Sequence, residues 1–177
     1  MKRVGIVVGH SVTDPGAVNA NGCSEFRFNA ELSYMVAVEI LKHGMDPVII
    51  WRDRAYSAMP DKVNGHDVDF SIELHCNAFN TKASGSETLF FTGSANGCKL
   101  ATHIQSEVVE ALGLNDRGAK GVTRDDRGGL MLVKTTKPHV IVEPLFIDNS
   151  LELSVGESRK VELAVAIANG CKQYAGA

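Results

Sequence analysis

Two histidines and two carboxylates of this 177-residue chain stand where short apolar runs stop or where a helix begins. His10 follows the run at residues 4–8, His75 follows 68–74, and Glu143 closes 140–143. Glu25 opens a long helical pattern, where the positive end of the helix dipole favours a carboxylate. Two imidazoles and one carboxylate suffice for a catalytic zinc that keeps its fourth position for water. A further carboxylate beside that water would act as general base. Each residue also has an ordinary reading. A histidine at a strand end is often just a polar residue near the surface, Glu25 an ordinary first-turn carboxylate, and Glu143 a partner for Lys134 or Lys137. Spacing by itself leaves both readings open.

Glu73 lies two residues before His75, so on a continuing strand both point to one face. It could be a ligand itself or, better, accept a hydrogen bond from a ligand histidine. The other histidines carry no site in this reading. His43 ends a helix, His66 sits in a polar loop, His103 lies on the second long helix, and His139 starts a strand beside Pro138. The four cysteines, Cys23, Cys76, Cys98 and Cys171, form no C-x-x-C pair, which speaks against a zinc ribbon or a thioredoxin-type site. They read as free thiols of a reduced compartment.

The elements that must position these groups alternate along the chain. Continuous apolar runs at residues 4–8, 47–51 and 68–74 read as strands, with further short strands at 87–91, 130–133 and 140–143. Helical spacing covers residues 24–43, closed by Gly44, then 95–112, closed by Gly113, and a final helix at 157–174. Strands interleaved with helices imply an α/β domain, with a twisted, mostly parallel (mixed) sheet of about six strands and helices on both faces. Functional groups in such open sheets collect at the carboxyl ends of the strands, where His10, His75 and Glu143 fall. The glycine-rich stretch 115–129 reads as the longest loop and the most mobile segment.

Composition excludes several classes. Net charge is −3, with 44% hydrophobic and 22% charged residues, so neither a basic nucleic-acid binder nor a disordered chain fits. No stretch approaches the ~18 apolar residues of a membrane span. The five residues 4–8 fall short of the ~7–15 apolar residues of a signal peptide, so synthesis in the cytoplasm without a leader is expected. The length suits one domain.

At the level of motifs the chain resembles the zinc-dependent N-acetylmuramoyl-L-alanine amidases of the amidase-3 type. His10-Ser11-Val12-Thr13-Asp14-Pro15-Gly16-Ala17 is similar to that family's G-H-G-x-x-D-P-G-A opening. Ser24-Glu25, with Asn29 and Leu32, resembles its glutamate at the start of a long helix. Asp69-Phe70-Ser71-Ile72-Glu73-Leu74-His75-Cys76-Asn77-Ala78 resembles its strand ending in S-I-H-A-N-A, with Glu73 where serine is common and Cys76 where alanine is common. Pro138-His139-Val140-Ile141-Val142-Glu143, continuing to Asn149, resembles its P-A-V-L-V-E-x-G-F-I-S-N block, and Asn115-Asp116-Arg117-Gly118 its N-R-G turn. The matches run in order from residue 5 to about residue 150.

The resemblance implies Zn²⁺ held by His10, Glu25 and His75, with Glu143 as catalytic base and acid. It implies bacterial peptidoglycan as substrate, cut at the amide between the lactyl group of N-acetylmuramic acid and L-alanine. A short chain of this kind resembles phage or prophage endolysin catalytic domains, released to the cell wall at lysis. On that reading residues 1–177 form a single amidase catalytic domain with no separate wall-binding module. No nucleic acid and no membrane insertion are expected, and a monomer is favoured. Two alternatives share the features: a zinc carboxypeptidase or endopeptidase acting on wall peptides, and a non-catalytic peptidoglycan-binding module.

Overall fold

The structure is a computed structural model that describes residues 1–176. Its strands are the fully buried apolar runs: β1 (Arg3–Val8), β3 (Phe70–Leu74) and β6 (His139–Glu143) hold almost nothing accessible to water. Burial on both faces removes the need for polar alternation, so these strands read as continuous runs. With β2 (Asp46–Ile50), β4 (Ser86–Phe91) and β5 (Asp116–Val122) they make one sheet in the order β2-β1-β3-β6-β4-β5. Strands β2, β1, β3 and β6 are parallel; β4 runs antiparallel to β6, and β5 parallel to β4. The expected mixed, mostly parallel six-stranded sheet is what forms.

Helices cover both faces. On one side α1 (Glu25–Lys42), α3 (Ala95–Leu112) and α6 (Lys160–Ala175) enclose the main core. In α1 the buried Phe28, Leu32, Val36 and Ile40 recur every fourth residue and so share one face. Ser24 caps it, its hydroxyl accepting from the Arg27 N–H at 3.3 Å, and Gly44 turns the chain away at φ +72°. On the opposite side α2 (Met59–Asn64) and α4 (Gly129–Lys134) seal a smaller cluster of Val7, Ile50, Met59, Val63 and Met131.

Three expectations are corrected. Residues 130–133 are not a strand but lie in α4. A four-residue apolar run has no period that separates the two, and the left-handed turn at Gly128, φ +78°, starts a helix there. Much of the stretch 115–129 is not loop, because residues 116–122 pair with β4 as an edge strand. Bonded on one side only and rich in glycine and charge, β5 carries none of the apolar signal of a central strand. The closing helix forms as α6 but starts at Lys160, and a separate helix not expected from the sequence, α5 (Ser150–Ser158), precedes it across Arg159. Asn149 starts α5 by accepting from the Leu151 and Glu152 N–H groups. The cysteines are unpaired; Cys76 and Cys171 are buried.

Helices α3 and α6 approach closely at Gly170, where a Cβ would stand 2.6 Å from the Ile104 Cα. Backbone cannot yield as a side-chain tip can. Gly170→Val should therefore lower stability by about 2 kcal/mol or more through overpacking, read as a drop in thermal midpoint. An unchanged midpoint would contradict this packing.

Candidate metal centre and active site

The sheet brings the four sequence-selected residues to one edge. Val8 of β1 pairs with Leu74 of β3, and Leu74 with Val142 of β6, so the three strands end at one level. The Gly9 N–H reaches the Leu74 carbonyl and the His75 N–H the Val142 carbonyl, each at 3.0 Å, which carries the alignment one residue further. His10, His75 and Glu143 thus leave neighbouring strand ends, and the first turn of α1 sets Glu25 among them. All four line one cleft of about 570 Å³.

Glu25 is the centre of the cluster and only 3% exposed. Its Oε1 lies 2.8 Å from His75 Nδ1 and accepts the Cys76 N–H at 2.9 Å; its Oε2 lies 3.2 Å from His10 Nε2 and accepts the Ala17 N–H at 3.2 Å. Burial raises its carboxyl pKa, but hydrogen bonds from His10 and His75 outweigh burial and hold it well below the usual carboxylate range. One ligand-capable atom from each of His10, Glu25 and His75 lies within 4.8 Å of the others. Two imidazoles and one ionised carboxylate converging on a point could hold a divalent metal ion. Nδ1 of His10 is buried without a hydrogen-bond partner, so that ring keeps a nitrogen to spare. The backbone is shaped around the cluster. His10 itself adopts φ +68°, a costly left-handed conformation for a non-glycine residue. A Cβ on Gly16 would stand 2.7 Å from Glu25 Oε2, and one on Gly9 2.8 Å from the His75 ring.

Behind His75, Glu73 places Oε1 3.1 Å from Nε2. That is the hydrogen-bond acceptor role expected of Glu73. His75 is flanked by two carboxylates: burial lowers its pKa, but Glu25 and Glu73 lift it to about 10. Glu73, raised by burial but held by His139 and His75, settles at about 2. Metal binding at His75 must therefore displace a proton.

Glu143 has a different environment. It stands directly across from Glu87 on β4, and Arg127 on the β5–α4 connection donates to its Oε1. Neither Lys134 nor Lys137 is its partner. Asn77 ties the two carboxylates together, donating to Glu87 Oε1 while its Oδ1 accepts from Arg127 at 3.3 Å. Burial raises the Glu143 pKa; Arg127 and His75 lower it, Glu87 raises it again, and the result is about 7. The Arg127 contact favours the ionised form, yet it is half in solvent and so is outweighed by burial. A carboxyl poised near neutrality can take a proton and return it.

Sequence reasoning missed Arg127, Asn77 and His139. Arg127 was hidden in the supposed loop, its only signal the Gly128-Gly129 pair that turns the chain beneath it. His139 looks from its local sequence like no more than the start of a strand, yet it faces Ser71 across β3 and β6.

The fold is an α/β domain whose strand ends gather a His/Glu/His group able to hold a metal ion. The chain belongs to the N-acetylmuramoyl-L-alanine amidase family (Amidase_3), which it matches over residues 4–173. It is 31% identical over 180 residues to YqiI of Bacillus subtilis (strain 168), spanning 98% of this chain and 84% of that protein. It is 30% identical to the N-acetylmuramoyl-L-alanine amidase LytC of the same organism, covering 94% of this chain but 34% of LytC. Among solved structures, the catalytic domain of the CD27L endolysin targeting Clostridia difficile superposes with a TM-score of 0.83 at 24% identity, over 96% of each chain. The enzyme class is thus peptidoglycan amidase, a hydrolase of the cell wall. Among the described residues no helix is long and apolar enough to cross a membrane.

The Glu143 environment has a measurable consequence. Its folded pKa of about 7 lies above the ordinary 4.5, so the fold favours the protonated form and loses that stability as pH rises through 7. The span amounts to about 3 kcal/mol. With chelator present, Glu143→Gln should gain thermal stability over the wild type at pH 8 and show little gain at pH 4. A pH-independent difference would mean that folding leaves the Glu143 pKa at its ordinary value.

Proposed function

We propose that the chain is a zinc-dependent amidase. It would hydrolyse the amide between the N-acetylmuramic acid lactyl group and L-alanine of peptidoglycan stem peptides, in endolysin-like lysis of the wall. The observation that carries the reading is the convergence of His10, Glu25 and His75 within 4.8 Å, in the cleft that Glu143 also lines. In this reading His10, Glu25 and His75 hold the ion. The family supports the amidase bond, and the likeness to the CD27L catalytic domain supports the endolysin role. Residues 1–177 would act as one catalytic domain.

Zinc, when bound, supplies Lewis acidity to the scissile carbonyl and to the attacking water. The chain supplies the rest. Glu143 takes one proton from the water as its oxygen bonds the carbonyl carbon. The C–N bond then breaks, and Glu143 hands the proton to the departing alanine nitrogen. The products are the lactyl carboxylic acid and a peptide with a new amino terminus. A group that works in both directions needs a pKa near the working pH, which its burial and Glu87 provide. Arg127, itself bonded to Asn77, holds it in place. Glu25, ionised at any working pH, suits a ligand instead.

Incubation with purified peptidoglycan and zinc, against an EDTA control, should release peptides beginning with L-alanine and leave the glycan intact, as seen by mass analysis. Loss of carboxy-terminal residues without that new terminus would point to a carboxypeptidase instead. Glu143→Ala should keep stoichiometric zinc yet lose lytic activity by several orders of magnitude. Zinc loss in that variant would exchange the roles of Glu143 and Glu25. His75→Ala should lose the metal, and a zinc-replete, active variant would sink the ligand assignment.

A further inference from the structure

A chain of buried polar groups runs behind His75, and the proposed reaction does not use it. Glu73 is the middle of the chain. Its Oε1 meets His75 Nε2 at 3.1 Å and its Oε2 meets His139 Nε2 at 3.2 Å. His139 Nδ1 in turn lies 2.8 Å from the Ser71 hydroxyl. No side-chain surface of His139 reaches solvent, and Ser71 and Glu73 are buried as well. Pairing of Ser71 with His139, and of Glu73 with Ile141, puts all these groups on one face of adjacent strands.

The chemistry of the donors fixes the protons. A carboxylate only accepts, so both rings must present N–H at Nε2. In its Nε2–H tautomer His139 accepts at Nδ1 from the Ser71 hydroxyl. For His75 the same rule puts an N–H on both nitrogens, Nε2 toward Glu73 and Nδ1 toward Glu25; an ion at the His10–Glu25 centre would take the place of the Nδ1 proton and leave the Nε2–H on Glu73.

We propose that Glu73, backed by His139 and Ser71, is a positioning group that holds His75 as its Nε2–H tautomer and aims Nδ1 at the His10–Glu25 centre. This rests on the reading of those three residues as a metal site. Outer partners of a ligand histidine fix ring orientation and commonly change metal affinity by 10–100-fold.

Zinc titration with a competing chelator tests it on the wild type, Glu73→Gln, His139→Ala and the double variant. Long-range ¹H–¹⁵N spectra of the histidines in the zinc-loaded wild type report the tautomers directly. Glu73→Gln should bind zinc about 10–100-fold more weakly. His139→Ala should weaken it too, and adding it to Glu73→Gln should cost little more, because both act through one contact. His75 and His139 should each carry their proton on Nε2. A proton on His75 Nδ1 in the loaded protein overturns the proposal, even if the variants fail to fold. So does a folded Glu73→Gln chain that binds zinc within twofold of the wild type. A wild type that takes up no zinc overturns the metal-site reading itself, and this inference with it; tight wild-type binding indifferent to Glu73 overturns the inference alone.

Discussion

A single buried carboxylate organises this protein. Glu25 is ionised and almost sealed from water, a state that costs several kcal/mol unless the charge is matched by donors. Four donors from two separate segments match it: the His10 ring and the Ala17 N–H from the loop after β1, and the His75 ring and the Cys76 N–H beyond β3. Glu25 can receive all four only if the loop after β1 folds back over the first turn of α1. The unusual backbone follows from that. His10 accepts a left-handed φ to bring its ring round, and Gly16, also left-handed, lies so close to the Glu25 oxygen that no side chain fits. Local strain of this kind persists only where the surroundings over-determine it.

The rest of the sheet serves the same end by register. Three neighbouring strands, β1, β3 and β6, stop level with one another, so His10, His75 and Glu143, at or just past their ends, enter the cleft. Strand β4 then runs the other way and sets Glu87 across from Glu143. A parallel neighbour would not present its residues in that direct opposition. The reversal of β4 is thus what gives Glu143 a second carboxyl beside it.

The sequence made some of this readable and hid the rest for definable reasons. The central strands and long helices were legible because burial on both faces leaves unbroken apolar runs, and because Ser24, Gly44 and Gly113 punctuate the helices. His10, Glu25, His75 and Glu143 were legible because element ends are local features. Arg127 was not, since its approach to Glu143 depends on β5, an edge strand with no apolar signature, and on the turn at Gly128. His139 was not, because its meaning lies in the pairing of β3 with β6, which no local pattern of residues 138–143 encodes.

The two acidic residues at the heart of the cleft are chemically identical and are driven apart by their surroundings. Glu25 is surrounded by donors, two of them imidazoles, and stays charged. Glu143 has burial and a facing carboxyl against a half-solvated arginine and the His75 ring, and sits near neutrality. When two carboxyls in one site are pushed in opposite directions, the ionised one is suited to electrostatic work or ligation and the other to proton transfer. The environments therefore support the proposed division of labour without appeal to sequence likeness. The contrast is one of position alone: a glutamate at position 143 has few donors to keep it charged, and one at position 25 has too many to be protonated.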